Sequence, residues 1–264
     1  VSSHYPSSDV PPPEFEREPT YAPRPPVRPV PVKPPSTPPT VTYGLMGVTT
    51  LIFIAQYLTE YFLGHDLISL LGMKINEAIA AGQYWRLITP MFLHGSIFHI
   101  GFNMYALYLF GRGLERSYGH GRFLTLYLLG GFGGNVLSMM FTDAPSLGAS
   151  TAIFGLLGAQ GVFIYQNKAL FGGMTRRALQ EIITIAVINL VIGMSPGIDN
   201  WGHIGGLIAG LVFSWLGGPI LASDGGFPIA HLVDQRRLND VLIAAGVTFG
   251  FFAFLAVGAL YLMK

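Results

Sequence analysis

From Tyr43 onward the chain alternates long apolar stretches with short polar breaks. The apolar runs cover about 43–63, 92–111, 123–141, 149–166, 179–195, 203–221 and 241–262. Each comes close to the ~20 residues that an α-helix needs to cross the hydrocarbon core of a bilayer. The pattern therefore predicts seven membrane-spanning helices.

The segment between the first two runs breaks the pattern. Its stretch LISLLGMKINEAIAAG, followed by Trp85-Arg86, is too polar to span and too apolar for a free loop. An interfacial or partly re-entrant element over 64–91 fits, with Trp85 at headgroup level, where its amphipathic ring is favoured. Residues 1–40 are the opposite case, with 14 of the 19 prolines and eight charges. That composition favours extended polyproline conformations and cannot bury a core, so a disordered tail is expected. PRPPVRP within it is a weaker hint of a ligand for a proline-reading module. Glu14, Glu16 and Glu18 speak against an organelle transit peptide, and no apolar h-region of a signal peptide is visible.

Composition strengthens the membrane reading. Only 11% of the 264 residues are charged, against roughly 25% in soluble domains. Glycine, with 34 residues, is more frequent in membrane helices than in soluble ones. No basic patch interleaved with aromatics appears, which excludes nucleic acid as a partner. The absence of cysteine removes disulfides, thiolate catalysis and Cys-ligated metal sites. The basic residues also select an orientation. With the tail in the cytoplasm, twelve of the 15 lie inside and only Lys74, Arg86 and Lys264 outside, as the positive-inside rule requires. The C-terminus and the loops 64–91, 142–148 and 196–202 then fall on the outer face.

Three polar clusters share one depth in this topology. His99 and Asn103 are four apart near the outer end of the second span, so they stack on one helix face. Ser150 opens the fourth span after TDAPSLG, and His203 opens the sixth after SPGIDNWG. Polar groups in a span are costly and tend to face the bundle interior or a wet cavity. Three at one depth imply a single pocket opening outward. A serine hydroxyl becomes a nucleophile when a base takes its proton, and neutral imidazole does so near pH 7. Ser150 and His203 supply that pair. His99, Asn103 and the Ser150 backbone N–H at a helix N-terminus supply donors for an oxyanion.

Each group alone has an ordinary structural reading. Ser150 can bond back to its own helix, Asn103 can join helices, and His203 can donate to a loop carbonyl. Their convergence favours catalysis. Small residues support it: Gly202, Gly206 and Gly210 on the sixth span, with Thr151, Gly155 and Ala159 on the fourth, form ridges that let two backbones approach.

With Trp85-Arg86, HGSIFHIGFN at 94–103, GRGLERSYG at 111–119, GAS at 148–150 followed by Phe154, and GHIGGLIAG at 202–210, the chain resembles the rhomboid intramembrane serine proteases over about 43–221. The resemblance implies an all-α polytopic membrane bundle with a six-helix catalytic core at 41–221. A linker and seventh helix at 222–264 would follow, as in the subtype with one added helix. It implies a Ser150–His203 dyad with no third acid, so that Asp199, four residues before His203, is a loop carboxylate. His99, Asn103 and the Ser150 N–H would form the oxyanion hole. Phe154 would pack on the His203 ring, and Gly206 would give that packing room. His94, Trp85 and Arg86 would hold the first outer loop. Glu115, flanked by Gly111 and Gly119, would bond to backbone where the second and third spans meet. Thr151 departs from the Gly that often follows the nucleophile, and its bulk could reshape the oxyanion side.

The implied activity is cleavage of transmembrane protein substrates in or near their membrane segments, in a bilayer of bacterial cell-membrane type. Substrates would enter near the second and fifth spans, with a small residue before the scissile bond and no metal or other cofactor. The alternative from another class is a catalytically inactive rhomboid-like escort or quality-control protein, against which the presence of both Ser150 and His203 argues. A zinc protease needs HExxH, which is absent. An aspartyl type needs two acids within spans, and a transporter would show paired broken helices.

Overall fold

A computed structural model describes residues 32–33, 37–224 and 230–263. In chain order the elements are β1 (Val32–Lys33), α1 (Thr40–Leu63), α2 (Leu67–Gly72), α3 (Asn76–Ala80), α4 (Ile97–Tyr118), α5 (His120–Phe141), α6 (Ser150–Gln166), α7 (Lys168–Phe171), α8 (Thr175–Ile192), α9 (Asn200–Gly217), β2 (Leu221–Asp224), β3 (Ala230–Asp234) and α10 (Leu238–Leu262). The seven long helices answer the seven expected spans one for one, and the polytopic helical bundle stands.

The boundaries differ where capping overrides hydropathy. The second helix begins at Ile97 rather than near 92, because the Ser96 side chain accepts from the His99 N–H and caps it. His94 therefore lies outside the helix. At the other end GRGLERSY remains helical, and Gly119, at φ 75°, alone makes the turn into α5. Left-handed backbone of this kind favours glycine.

Two kinds of helix build the bundle. In α5, 78% of the apolar window is buried, against 28% in α1 and in α10. Among the described residues these three are long and apolar enough by themselves to cross a membrane. The central helix α6 has 17 residues, twelve of them buried, so its surroundings are protein rather than lipid. The flanking α1 and α10 leave Leu51, Phe62, Phe254 and Tyr261 exposed, as lipid-facing helices do.

Glycine sets the spacing at the centre. A Cβ on Gly155 would lie 2.9 Å from the Gly130 Cα, and one on Gly134 would lie 2.6 Å from the Gly202 carbonyl oxygen. A Cβ on Gly206 would run into the Thr151 carbonyl and one on Gly210 into the Gly155 carbonyl. The expected ridges on α6 and α9 do meet. A third ridge on α5, at Gly130, Gly133 and Gly134, completes a three-helix seam that sequence reading did not anticipate. Gly206 makes room for the α6 backbone.

The segment 64–96 folds as α2, α3 and two 3-10 turns, Tyr84–Leu87 and Thr89–Phe92. Arg86 is buried and staples it. Its guanidinium donates to the Gln83 Oε1 and to the carbonyls of Met73 and Leu70, each at 2.7 Å. Trp85 is half exposed and donates to the Leu71 carbonyl at 3.0 Å.

At the end of the bundle opposite Ser150 lies a small sheet in the order β1-β3-β2, with β2 and β3 antiparallel and β1 parallel to β3. Arg122 of α5 pairs with Asp234 at 2.8 Å and ties it down. This sheet is an addition to the all-α expectation, and it occupies part of the expected plain linker. Most of the tail expected to be disordered over 1–40 lies outside the described residues; Val32 and Lys33 are paired to β3.

Glu115 lies beside the junction of α4 and α5. Its wholly buried carboxylate accepts from the Val41 and Thr42 N–H groups at 2.8 and 2.7 Å and from the Thr42 hydroxyl at 2.6 Å. The backbone it bonds to is that of the first span, which it caps from the second. His120, opening α5, adds a 2.6 Å contact from its Nδ1. Gly111 gives Thr42 the space to reach this point.

Candidate active site

Ser150 is the first residue of α6, and the loop before it is held from outside its own helix. Gly148 adopts φ 138° and donates to the Pro90 carbonyl at 2.9 Å. A Cβ on Gly148 would meet the His99 Nε2 at 2.8 Å, so the His99 ring lies directly against this backbone. The next N–H, of Ala149, meets the His94 Nε2 at 3.4 Å. Position 148 combines left-handed φ with that close approach, and glycine alone meets both demands.

His203 arrives from α9. Asp199 caps that helix, its Oδ1 accepting from the Gly202 N–H at 2.9 Å, and His203 follows one turn in. The His203 Nε2 lies 2.9 Å from the Ser150 Oγ. Its ring stacks on Phe154, with centroids 4.3 Å apart and planes 11° apart. The Phe154 ring thus lies flat against the imidazole. The His203 Nδ1 and the Asp199 Oδ2 are both buried without a hydrogen-bond partner among the described residues. Asp199 is a helix cap and forms no triad hydrogen bond.

His99 and Asn103 share the face of α4 beside this pair. The Asn103 side chain is buried and its Nδ2 donates to the His99 carbonyl at 2.9 Å, which steadies the turn that carries His99. The Thr151 side chain is buried. Its Cγ2 would lie 3.0 Å from a Cβ on Gly202, and its Cβ 2.6 Å from one on Gly134, so its bulk fills the seam between α5 and α9.

His94 does more than hold the first outer loop, since it also supports Ala149. It is buried, with its ring edge-on to His99 at 5.0 Å. Its backbone is clamped by a residue that sequence reading passed over. Gln56 of α1 accepts from the His94 N–H at 3.1 Å and donates to the His94 carbonyl at 3.1 Å, and it also reaches Ser69 and Asp66. The available signal was an amide in the middle of an apolar span, where an unpaired polar group is expensive.

The arrangement can do acyl-transfer chemistry. With Nε2 unprotonated, the imidazole accepts the Ser150 O–H and can remove its proton. Ser150 occupies the first helical position, where the backbone N–H groups have no partner inside the helix and carry the positive end of its dipole.

A family model described as the Rhomboid domain matches residues 81–220. The chain is 40% identical over 224 residues to rhomboid protease GluP of Bacillus subtilis (strain 168), covering 84% of this chain and 40% of that protein. It is 39% identical over 153 residues to the chloroplastic RHOMBOID-like protein 9 of Arabidopsis thaliana, covering 58% and 35%. It is 38% identical over 141 residues to the mitochondrial RHOMBOID-like protein 6 of the same plant, covering 53% and 46%. The chain thus spans less than half the length of each of these relatives.

Proposed function

The chain belongs to the rhomboid family, and on that premise we propose that it is a serine endopeptidase that cuts transmembrane protein substrates within or near the bilayer. The observation that carries this reading is the 2.9 Å contact between the Ser150 Oγ and the His203 Nε2. An escort protein that only binds helices has no use for a hydroxyl aimed at an imidazole.

His203 takes the Ser150 proton as the hydroxyl oxygen attacks the scissile carbonyl. The tetrahedral oxyanion is received by the Ser150 N–H and the His99 and Asn103 side chains. His203 then gives its proton to the leaving amine, and the acyl-enzyme remains. Water, deprotonated by the same imidazole, releases the acid and restores Ser150. Oxyanion donors matter as much as the base, because removing one costs about 10²–10³ in rate. The substrate helix must unwind locally, since a helix in lipid hides its carbonyls in hydrogen bonds. It enters between the second and fifth spans, α4 and α8, and a small residue precedes the cut.

The protein is a multi-pass membrane protein. We place the β-sheet end in the cytoplasm and the Ser150 end outside, in a bacterial cell membrane. Arg112, Arg116, Arg122, Lys168 and Arg236 gather at the sheet end and support this orientation through the positive-inside rule.

A serine-directed fluorophosphonate tests the reading. Labelling of the wild type that disappears in both Ser150→Ala and His203→Ala is the expected result. Equal labelling of wild type and Ser150→Ala would sink the nucleophile assignment. An unlabelled protein that still captures membrane helices would favour the escort.

A further inference from the structure

Lys74 is a buried cation that the reaction above does not use. It lies in the turn between α2 and α3 and is wholly buried, a state lysine almost never adopts unless paired. Its Nζ donates to the carbonyl of Thr142, the residue that caps the C-terminus of α5, at 2.7 Å. Its backbone forms an isolated antiparallel bridge to Ser146, with N–H to carbonyl distances of 2.9 and 3.2 Å. Two residues on, the Asn76 Nδ2 reaches the Met139 and Thr142 carbonyls, each at 3.1 Å, and the Asp143 Oδ1 at 3.2 Å. The loop that delivers Ser150 is therefore gripped at both ends. Lys74 and Asn76 hold its start, while Pro90 and His94 hold the backbone just before the nucleophile.

Burial lowers the Lys74 pKa from the ordinary 10.5, while the carboxylates of Asp199, Asp143 and Glu77 favour the charged form. The ammonium is a donor only, which suits it to a carbonyl at the C-terminus of a helix.

We propose that Lys74 is a positioning residue whose ammonium, held at the Thr142 carbonyl, fixes the start of the loop that delivers Ser150. It touches no reacting atom. The proposal rests on the protease reading, because it assigns to Lys74 the placement of the nucleophile.

The full chain in proteoliposomes provides the test. Cleavage of a transmembrane model substrate and the rate of Ser150-dependent fluorophosphonate labelling are measured for wild type, Lys74→Met, Asn76→Ala and the double variant. Lys74→Met should lower kcat and the labelling rate together by about tenfold with KM nearly unchanged, as expected of a slight misplacement of reacting groups. Asn76→Ala should act in the same direction, and the double variant should be less impaired than the product of the single effects, because both side chains hold the Thr142 carbonyl. Effects that simply multiply would overturn the proposal, as would a lower unfolding temperature with unchanged kcat.

If Lys74→Met does not fold, Asn76→Ala decides alone: a lower kcat and labelling rate with KM unchanged is expected, and wild-type values would overturn the proposal. Wild-type labelling no faster than that of Ser150→Ala would remove the dyad reading itself, and this proposal with it.

Discussion

Replacing Gly206 by alanine asks whether the approach of two backbones sets the Ser150–His203 distance. A Cβ at 206 would lie 2.8 Å from the Thr151 carbonyl carbon and 3.3 Å from the Gly130 carbonyl oxygen. Both neighbours are backbone and cannot swing aside as the end of a side chain can. Carbon atoms pack at about 3.5–4.0 Å, so α9 must withdraw from α6 by roughly 1 Å to admit the methyl. Thr151 directly follows Ser150, and His203 lies one turn before Gly206 on the same face of α9. The withdrawal therefore acts on the 2.9 Å Oγ–Nε2 contact. A 1 Å misplacement can cost on the order of 100-fold in rate, and overpacking typically destabilises by about 1–3 kcal/mol. The assay is fluorophosphonate labelling with thermal unfolding in the same detergent. The control is Gly246→Ala on α10, where nothing lies within 4 Å of the new Cβ, and there rate and stability should hold. Wild-type labelling and stability in Gly206→Ala would refute the idea that helix contact sets the site.

Two further outcomes follow from the segment 64–96. Arg86→Gln should lower stability by about 2–6 kcal/mol, because the carbonyls of Leu70 and Met73 each lose a buried partner at about 1–3 kcal/mol; an unchanged unfolding temperature would refute the staple. Asp66 caps α2 and accepts from Ser69 and Gln56. Burial alone would raise its pKa, but the hydrogen bonds from Ser69, Gln56 and Ile68 outweigh it and hold it below the ordinary 3.8. Its stabilisation is thus present above the unfolded value and is lost as pH falls through the folded one. An unfolding-temperature series carried into that acid range should drop more for wild type than for Asp66→Asn, and parallel curves would count against the assignment.

Much of this was legible because it is local. Seven apolar runs mark seven helices, and the alternation of their directions brings Ser150, His99 and His203 to one end without knowledge of any contact. The roles of Phe154 and Gly206 came from the resemblance to a known family rather than from spacing, and a Cβ on Gly206 would run into the Thr151 carbonyl. What was not legible depends on partners far apart in the chain. Glu115 meets Val41 and Thr42 more than 70 residues away, and periodicity cannot say which helix end a buried carboxylate will cap. Gln56 and Lys74 went unread because their partners, His94 and Thr142, lie in loops whose paths hydropathy does not describe. The strands LASD and AHLVD are too short and too mixed to stand out from a linker.

The division of labour follows from the solvent. Lipid tails are as apolar as leucine, so helices in a bilayer gain little from burying apolar surface against one another and associate by close packing and hydrogen bonds. The glycine seam of α5, α6 and α9 provides the packing, and it can bring helix axes to one distance. It cannot register a loop, because the residues before Ser150 lie beyond the helices' mutual contact. That register must come from directional polar contacts, and those are affordable only where the chain leaves the apolar layer. The folded segment 64–96 supplies them through Pro90, His94, Lys74 and Asn76, anchored in turn by Arg86 and Gln56. Seam and segment are thus separable: Gly206→Ala should disturb helix spacing with the loop intact, whereas Lys74→Met should disturb the loop with the spacing intact.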